Sequence, residues 1–425
     1  MTFTLDRRSL LKHLGVALGG GAALGTLGLT SRVARAEVAA SDLKFLFVFN
    51  NGGWDPTTVF APLFGLPTID LEPDAQPMEI GGLTLVDSAA RPSVRGFFER
   101  WHDRTAVING VSVRSLAHDI CQMVALTGDS TGLDPDWATL LADARRTDFT
   151  LPHLVLGGPS FSGDRGAAVA RAGFSGQLDG LLSGDLWAGS DQEVRLPSPA
   201  AERVLDNWMR RRSGARAASA TSPKEMVLTA DFDEALGRAQ DLKGASHDVS
   251  FGGAGNIVTQ GATAIDALSR GLARSVSLSD PVSWDTHANN TQQSQLFEGL
   301  FARLTMLMNM LEATPGERCP TLADETVVVV MSEMGRTPKL NASQGKDHWP
   351  YTSFLVVGPG VRGSRAYGGY DPLYNGLLVD PTSGDADEGG VVITAENVGA
   401  TLLELAGVDS AAVLPGSRAL LGMLV

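Results

Sequence analysis

Thr326-Val-Val-Val-Val-Met331, followed at once by Ser332-Glu333-Met334-Gly335-Arg336, decides the fold. An unbroken β-branched run does not alternate between polar and apolar. It reads as a strand buried on both faces, in a sheet covered by helices on each side. The polar residues after it stand at the strand's carboxyl end, where open parallel sheets bind their ligands.

Working outward, Leu43-Lys-Phe-Leu-Phe-Val-Phe49 is a second buried strand that stops at the turn-rich Asn50-Asn51-Gly52-Gly53-Trp54-Asp55-Pro56. Ala106–Asn109, Ser275–Leu278 and Ser353–Val357 read as further strands, and Gly358-Pro359-Gly360 closes the last of them. Between them the sequence predicts helices at Pro92–Trp101, His118–Leu126, Ala264–Ala273, Gln292–Leu311 and Glu396–Leu405. In the fourth, Leu296, Leu300, Leu304, Leu307, Met308 and Leu311 recur at helical spacing and mark a buried face. Strands alternating with helices imply an α/β domain with a mostly parallel sheet covered on both faces. Residues from about 184 to 262 break this rhythm and read as a helical, low-complexity insertion. Within it, Arg210-Arg211-Arg212 reads as a solvated helix face.

The amino terminus has a separate logic. Asp6-Arg7-Arg8-Ser9-Leu10-Leu11-Lys12 is a twin-arginine pattern, Leu14 to Leu29 is uncharged and Gly-rich, and Ala34-Arg35-Ala36 offers small residues to a signal peptidase. Residues 1–36 are therefore expected to be an export signal read by the twin-arginine machinery. A single domain over 37–425 would remain, periplasmic or extracellular, with no stable membrane span after signal removal. The 425 residues carry 34 Lys and Arg against 48 Asp and Glu, a net charge of −14. That balance argues against a nucleic-acid partner, for which a basic footprint supplies most of the affinity. Cys121 and Cys319 leave one disulfide open and exclude a four-thiolate zinc site.

Four segments bring chemistry to strand ends. Asp55 follows the first strand, Asp285 and His287 follow Ser275–Leu278, Glu333 and Arg336 follow Thr326–Met331, and Asp347-His348 lies in the next loop. Crowded carboxylates repel one another, so a cation is their natural partner. Mixed imidazole and carboxylate suits zinc, manganese or iron in preference to magnesium or calcium. Each segment also has a plainer use. Asp55 suits a helix cap, Glu333 an ion pair with Arg336, and Asp347 the orientation of a histidine. His102, His153 and His247 have no companions and read as structural or exposed.

Trp284-Asp285-Thr286-His287, Met331-Ser332-Glu333-Met334-Gly335-Arg336-Thr337-Pro338 and Asp347-His348-Trp349, with the twin-arginine start, resemble domain-of-unknown-function family 1501, within the alkaline phosphatase and sulfatase superfamily. The resemblance covers most of the chain after the signal. It implies an alkaline phosphatase-like fold and one or two divalent metal ions at the carboxyl edge of the sheet. It also implies hydrolysis of a small anionic ester, phosphate in preference to sulfate. Carried over by position, it places Asp55, Asp285, His287, Glu333, Asp347 and His348 among the metal ligands, with Asp347 either binding or orienting. Arg336 would steady an anionic oxygen or orient Glu333. Met334 stands where relatives have a metal-binding His. Counting back from Thr127-Gly128 puts His118 in the place of the usual nucleophile, as a metal ligand, a general acid or the attacking group. Cys121 lacks the Cys-x-Pro-Ser-Arg context of a sulfatase.

Two other classes remain. Gly128-Asp129-Ser130 and Gly158-Pro159-Ser160-Phe161-Ser162 approach serine-hydrolase motifs without matching them. The absent hydroxyl nucleophile and Met334 point instead to a non-catalytic exported or cell-surface protein on a phosphatase-like scaffold.

Overall fold

The computed structural model describes residues 38–173, 178, 198–245, 251 and 255–425. The twin-arginine stretch, His247 and the 184–197 part of the insertion lie outside them. The strands in chain order are β1 (Lys44–Asn50), β2 (Gln76–Ile80), β3 (Leu83–Asp87), β4 (Thr105–Ser112), β5 (His153–Val155), β6 (Val169–Arg171) and β7 (Ser275–Ser279). They continue as β8 (Thr326–Ser332), β9 (Gly335–Arg336), β10 (His348–Trp349), β11 (Tyr351–Val357), β12 (Arg365–Gly368), β13 (Leu378–Val379) and β14 (Val391–Val392). Eight form the central sheet in the order β12-β4-β11-β8-β1-β7-β5-β6. β1 lies between β7 and β8, parallel to both. The Leu43–Phe49 and Thr326–Met331 segments are thus neighbours at the centre.

The sheet is mostly parallel, as the β-branched runs require. β11 is the exception and runs antiparallel to both β4 and β8. A strand buried on both faces has the same composition in either direction, so sequence does not reveal this reversal.

Alternation along each strand divides the core. Leu46, Val48, Val328, Val330, Val276 and Leu278 face a layer that includes residues of the helices Pro92–Trp101, Ile257–Ser269 and Thr291–Ala313. Phe45, Phe47, Phe49, Val327, Val329 and Met331 face the other layer, with residues of the helices His118–Thr127, Trp137–Asp143 and Ala395–Leu405. Each such side chain contributes about 1.5–3 kcal/mol when fully buried, so burial on both faces holds the strand ends rigid.

The helix expected at Ala264–Ala273 runs from Ile257 to Ser269, capped by Asn256, whose Oδ1 accepts from Val258 N and Thr259 N. It packs on the Thr291–Ala313 helix and β7, so residues 257–262 belong to the core and not to the insertion. Two paired helices, Pro199–Ser219 and Pro223–Ala245, lie within the stretch read as an insertion. The Arg run is exposed, with Arg210 on Gln240 and Arg212 over the Trp208 ring. Cys121 and Cys319 form no disulfide, and burial pushes the Cys121 thiol up to about 12. No helix among the described residues is long and apolar enough to cross a membrane.

His153 is structural, as read. It is fully buried, with Nδ1 2.9 Å from Thr139 Oγ1 and Nε2 2.8 Å from Ser277 Oγ. Burial lowers its pKa, against the opposing charge of Asp136. The unfolded chain therefore takes up a proton below about pH 6.5 that the folded site refuses. Stability is expected to fall on acidification below that point, by up to about 1.4 kcal/mol per pH unit from this group. In His153→Gln that part of the slope should vanish, as denaturant midpoints from pH 7.5 to 5.5 would show.

Candidate metal centre

Three loops at the carboxyl edge and one helix start build the site. The loop after β1 turns sharply at Gly52, whose φ is +116°. A Cβ there would lie 2.6 Å from Trp284 N and from Asp285 N, so only glycine lets this loop touch the Asp285 loop. Buried Gln293 ties the same loops, accepting from Asp55 N and donating to the carbonyls of Trp284 and Gly53. β9 and β10 form a short antiparallel ribbon with His348 opposite Arg336. The segments after β7 and β8 thus reach the same place.

At their meeting point stand His118, Asp285, His287 and His348. His118, Asp285 and His348 each offer one ligand atom, and these atoms lie within 4.8 Å of one another. His287 Nε2 is 3.1 Å from Asp285 Oδ1 and 2.9 Å from His348 Nε2. His348 Nε2 is 3.2 Å from Asp285 Oδ1, and His118 Nε2 is 3.5 Å from Asp285 Oδ2.

The other nitrogen of every ring is held by an acceptor. His118 Nδ1 donates to Glu333 Oε1 at 2.8 Å, His287 Nδ1 to Asp347 Oδ1 at 2.9 Å, and His348 Nδ1 to the Leu116 carbonyl at 2.6 Å. Carboxylates and carbonyls only accept, so each Nδ1 carries its proton. In the neutral rings all three Nε2 lone pairs then face Asp285. Two such lone pairs 2.9 Å apart, on His287 and His348, repel unless a proton or a cation lies between them. The Nε2 of His118 is buried and has no hydrogen-bond partner. His118, His348 and Asp285 fit a divalent ion: two imidazole nitrogens, each oriented by an outer acceptor, and one carboxylate suit zinc, and His287 Nε2 borders this group at Asp285 Oδ1 and His348 Nε2.

The electrostatics follow. Burial opposes ionisation of Asp285, but the Arg336 hydrogen bond and charge, with His348 and His287, hold its carboxyl down at about 2. The Glu333 hydrogen bond, partly offset by burial, raises His118 above the ordinary imidazole range, and the charges of Glu333 and Asp285 add to this. The hydrogen bond from His287 lowers Asp347.

The other expected ligands sit differently. Glu333 is fully buried, and its Oε1 accepts both from His118 and from Gly52 N at 2.7 Å, so it orients His118 instead of joining the cluster. Asp347 orients His287 and not its neighbour His348. Asp55 stays out of the cluster. It caps the short helix Pro56–Thr58 and pairs with buried Lys346 at 2.8 Å. Arg336 turns to Asp285 and the loop carbonyls and not to Glu333. Its buried guanidinium donates to the carbonyls of Gly53, Lys346, Trp284 and Gly52 and to Asp285 Oδ1. Met334 packs into the core. Sequence reading missed Lys346, Gln293, Gly52 and the Leu116 carbonyl. A lone Lys before Asp347-His348 carries no signal that its side chain folds back onto Asp55. Gly128 is the helix cap and Asp129 holds a local turn through Thr131 N, so that near-match to a serine-hydrolase motif is a turn.

Glu333→Gln keeps the shape of the side chain but removes its charge. The fold is expected to persist and affinity for a divalent ion to fall about 10–100-fold. Isothermal titration with zinc or manganese, beside a circular dichroism melt, checks both.

Residues 44–420 match the family described as "Protein of unknown function (DUF1501)", and the chain belongs to that family. Among curated proteins, none matches this sequence. Solved structures similar to it include a phosphonate monoester hydrolase from Silicibacter pomeroyi, at 11% identity and TM-score 0.39, covering 90% of this chain and 77% of that one. A lipoteichoic acid synthase from Listeria monocytogenes is similar at 10% identity and TM-score 0.38, covering 90% and 75%. A protein of the alkaline phosphatase superfamily from Vibrio parahaemolyticus is similar at 10% identity and TM-score 0.33, covering 86% and 67%.

Proposed function

We propose that this protein is a metal-dependent hydrolase of small anionic esters, of phosphate in preference to sulfate type. One observation carries the reading: the Nε2 atoms of His118, His287 and His348 lie 3.5, 3.1 and 3.2 Å from the Asp285 carboxylate while an outer acceptor fixes each Nδ1. His118, His287, His348 and Asp285 hold one divalent ion, zinc, manganese or iron. When bound, the ion supplies Lewis acidity that draws charge from an ester oxygen and makes water more acidic. Glu333 and Asp347 keep a proton on the Nδ1 atoms and increase the basicity of the coordinating nitrogens. Arg336 holds Asp285 ionised and aimed. The domain spans residues 37–425 with the helical pair as its insertion, and it leaves the cytoplasm by the twin-arginine route once residues 1–36 have been read.

The test pairs metal analysis of the purified chain with turnover of aryl phosphates and aryl sulfates after loading with zinc, manganese or iron. About one ion per chain and faster phosphate cleavage are expected. A chain that holds no ion in any of these loadings would sink the reading. The complete burial of Arg336 favours a second reading, because it removes the expected anion clamp. A chain that binds an ion but turns over none of the esters is a non-catalytic binding protein on the same scaffold.

A further inference from the structure

Sequence places a metal ligand at Asp55, and the structure places an ammonium group there. Lys346 Nζ lies 2.8 Å from Asp55 Oδ2 and 2.8 Å from Thr57 Oγ1, and both charged side chains are buried. The remaining acceptor capacity of Asp55 is also taken. Thr57 donates to Oδ1 through its N–H at 3.1 Å and its hydroxyl at 2.7 Å, and Asn290 Nδ2 donates to Oδ2 at 2.9 Å. A carboxylate has about four lone-pair sites, so these donors leave none for an ion. A buried carboxylate needs a cation, and here the chain supplies one covalently. The lysine backbone is itself fixed, its N–H on the Thr286 carbonyl at 3.2 Å and its own carbonyl under Arg336 Nη1 at 3.2 Å.

We propose that Lys346 is a resident cation that closes Asp55 to divalent metals, so the chain binds one metal ion, not two. The single ion is the one assigned above to His118, His287, His348 and Asp285, and the count rests on that reading. Lys346 is a positioning residue. Its ammonium holds the loop after β1 in place without exchanging with solvent ions.

The test counts metal by elemental analysis of desalted protein equilibrated with excess zinc or manganese. Wild type should hold one ion per chain. Lys346→Ala leaves an anionic, oxygen-lined space at Asp55 and should hold two, whereas Lys346→Arg should remain at one. If Lys346→Ala does not fold, Asp55→Asn/Lys346→Met removes both charges together and should still hold one. Two ions in wild type falling to one in the double variant would make Asp55 a metal ligand and overturn the proposal. A folded Lys346→Ala chain that still holds one ion overturns it as well. A wild type holding none refutes the histidine site instead, and the gain of one ion in Lys346→Ala then decides Lys346 alone.

Discussion

His348→Ala is expected to leave the protein folded and to lower its affinity for a divalent ion by at least roughly 100-fold, the upper end of what losing a mere orienting partner costs. The residue can be removed cleanly. It is partly exposed on a two-residue ribbon, and its Nδ1 holds only the carbonyl of Leu116. Its Nε2 faces His287 Nε2 and Asp285 Oδ1, so the substitution removes one of the converging nitrogens without stranding a buried charge. Equilibrium dialysis with zinc measures the affinity, and a thermal melt without metal should show a midpoint close to wild type. Unchanged affinity would mean that the His287–His348 contact is bridged by a proton and that the cluster is not a metal site. Hydrolysis of aryl phosphates, if the wild type performs it, should fall in parallel.

Sequence showed which strand ends carry chemistry, because the runs at Leu43–Phe49 and Thr326–Met331 read as strands buried on both faces and polar residues stop them abruptly. It did not show which side chain meets which. Asp285 and His287, two residues apart, both turn to His348, 63 and 61 residues on. Glu333 and Arg336, three apart, part company: the first orients His118 and the second holds Asp285. These pairings depend on the angle at which each loop leaves its strand, and Gly52 sets one such angle through a backbone conformation that spacing cannot reveal. The helix starting at Ile257 was hidden because Gly261 interrupts its apolar stripe where it packs against Leu307. The double use of Asp55, as helix cap and as partner of Lys346, was only half legible. An Asp before Pro56 suggests a cap, but nothing in the sequence says that the neutralising cation comes from residue 346.

Arg336→Met should be the most damaging single change at this edge of the sheet, costing about 1–3 kcal/mol for each buried carbonyl that it leaves unsatisfied. The guanidinium is completely buried. Its Nε donates to Gly53 O at 2.8 Å, its Nη1 to Lys346 O at 3.2 Å, and its Nη2 to Trp284 O at 3.2 Å, to Gly52 O and to Asp285 Oδ1 at 2.6 Å. Methionine fills much of the volume but donates nothing. Four carbonyls and a carboxylate then compete for whatever water can enter, and each buried acceptor left unsatisfied costs about 1–3 kcal/mol. Arg336→Lys keeps the charge but has neither the planar fork nor the reach to several carbonyls at once, so it should restore only part of the loss. Urea denaturation of both variants in the absence of metal and substrate checks the ranking. The contrasting expectation, an arginine that clamps substrate from a solvated position, is stability near wild type in both variants with a raised KM for a phosphate ester. A midpoint for Arg336→Met equal to wild type would therefore return Arg336 to the substrate side of the site, whereas the expected fall makes it the brace that holds the loops after β1, β7 and β8 together before any ligand arrives.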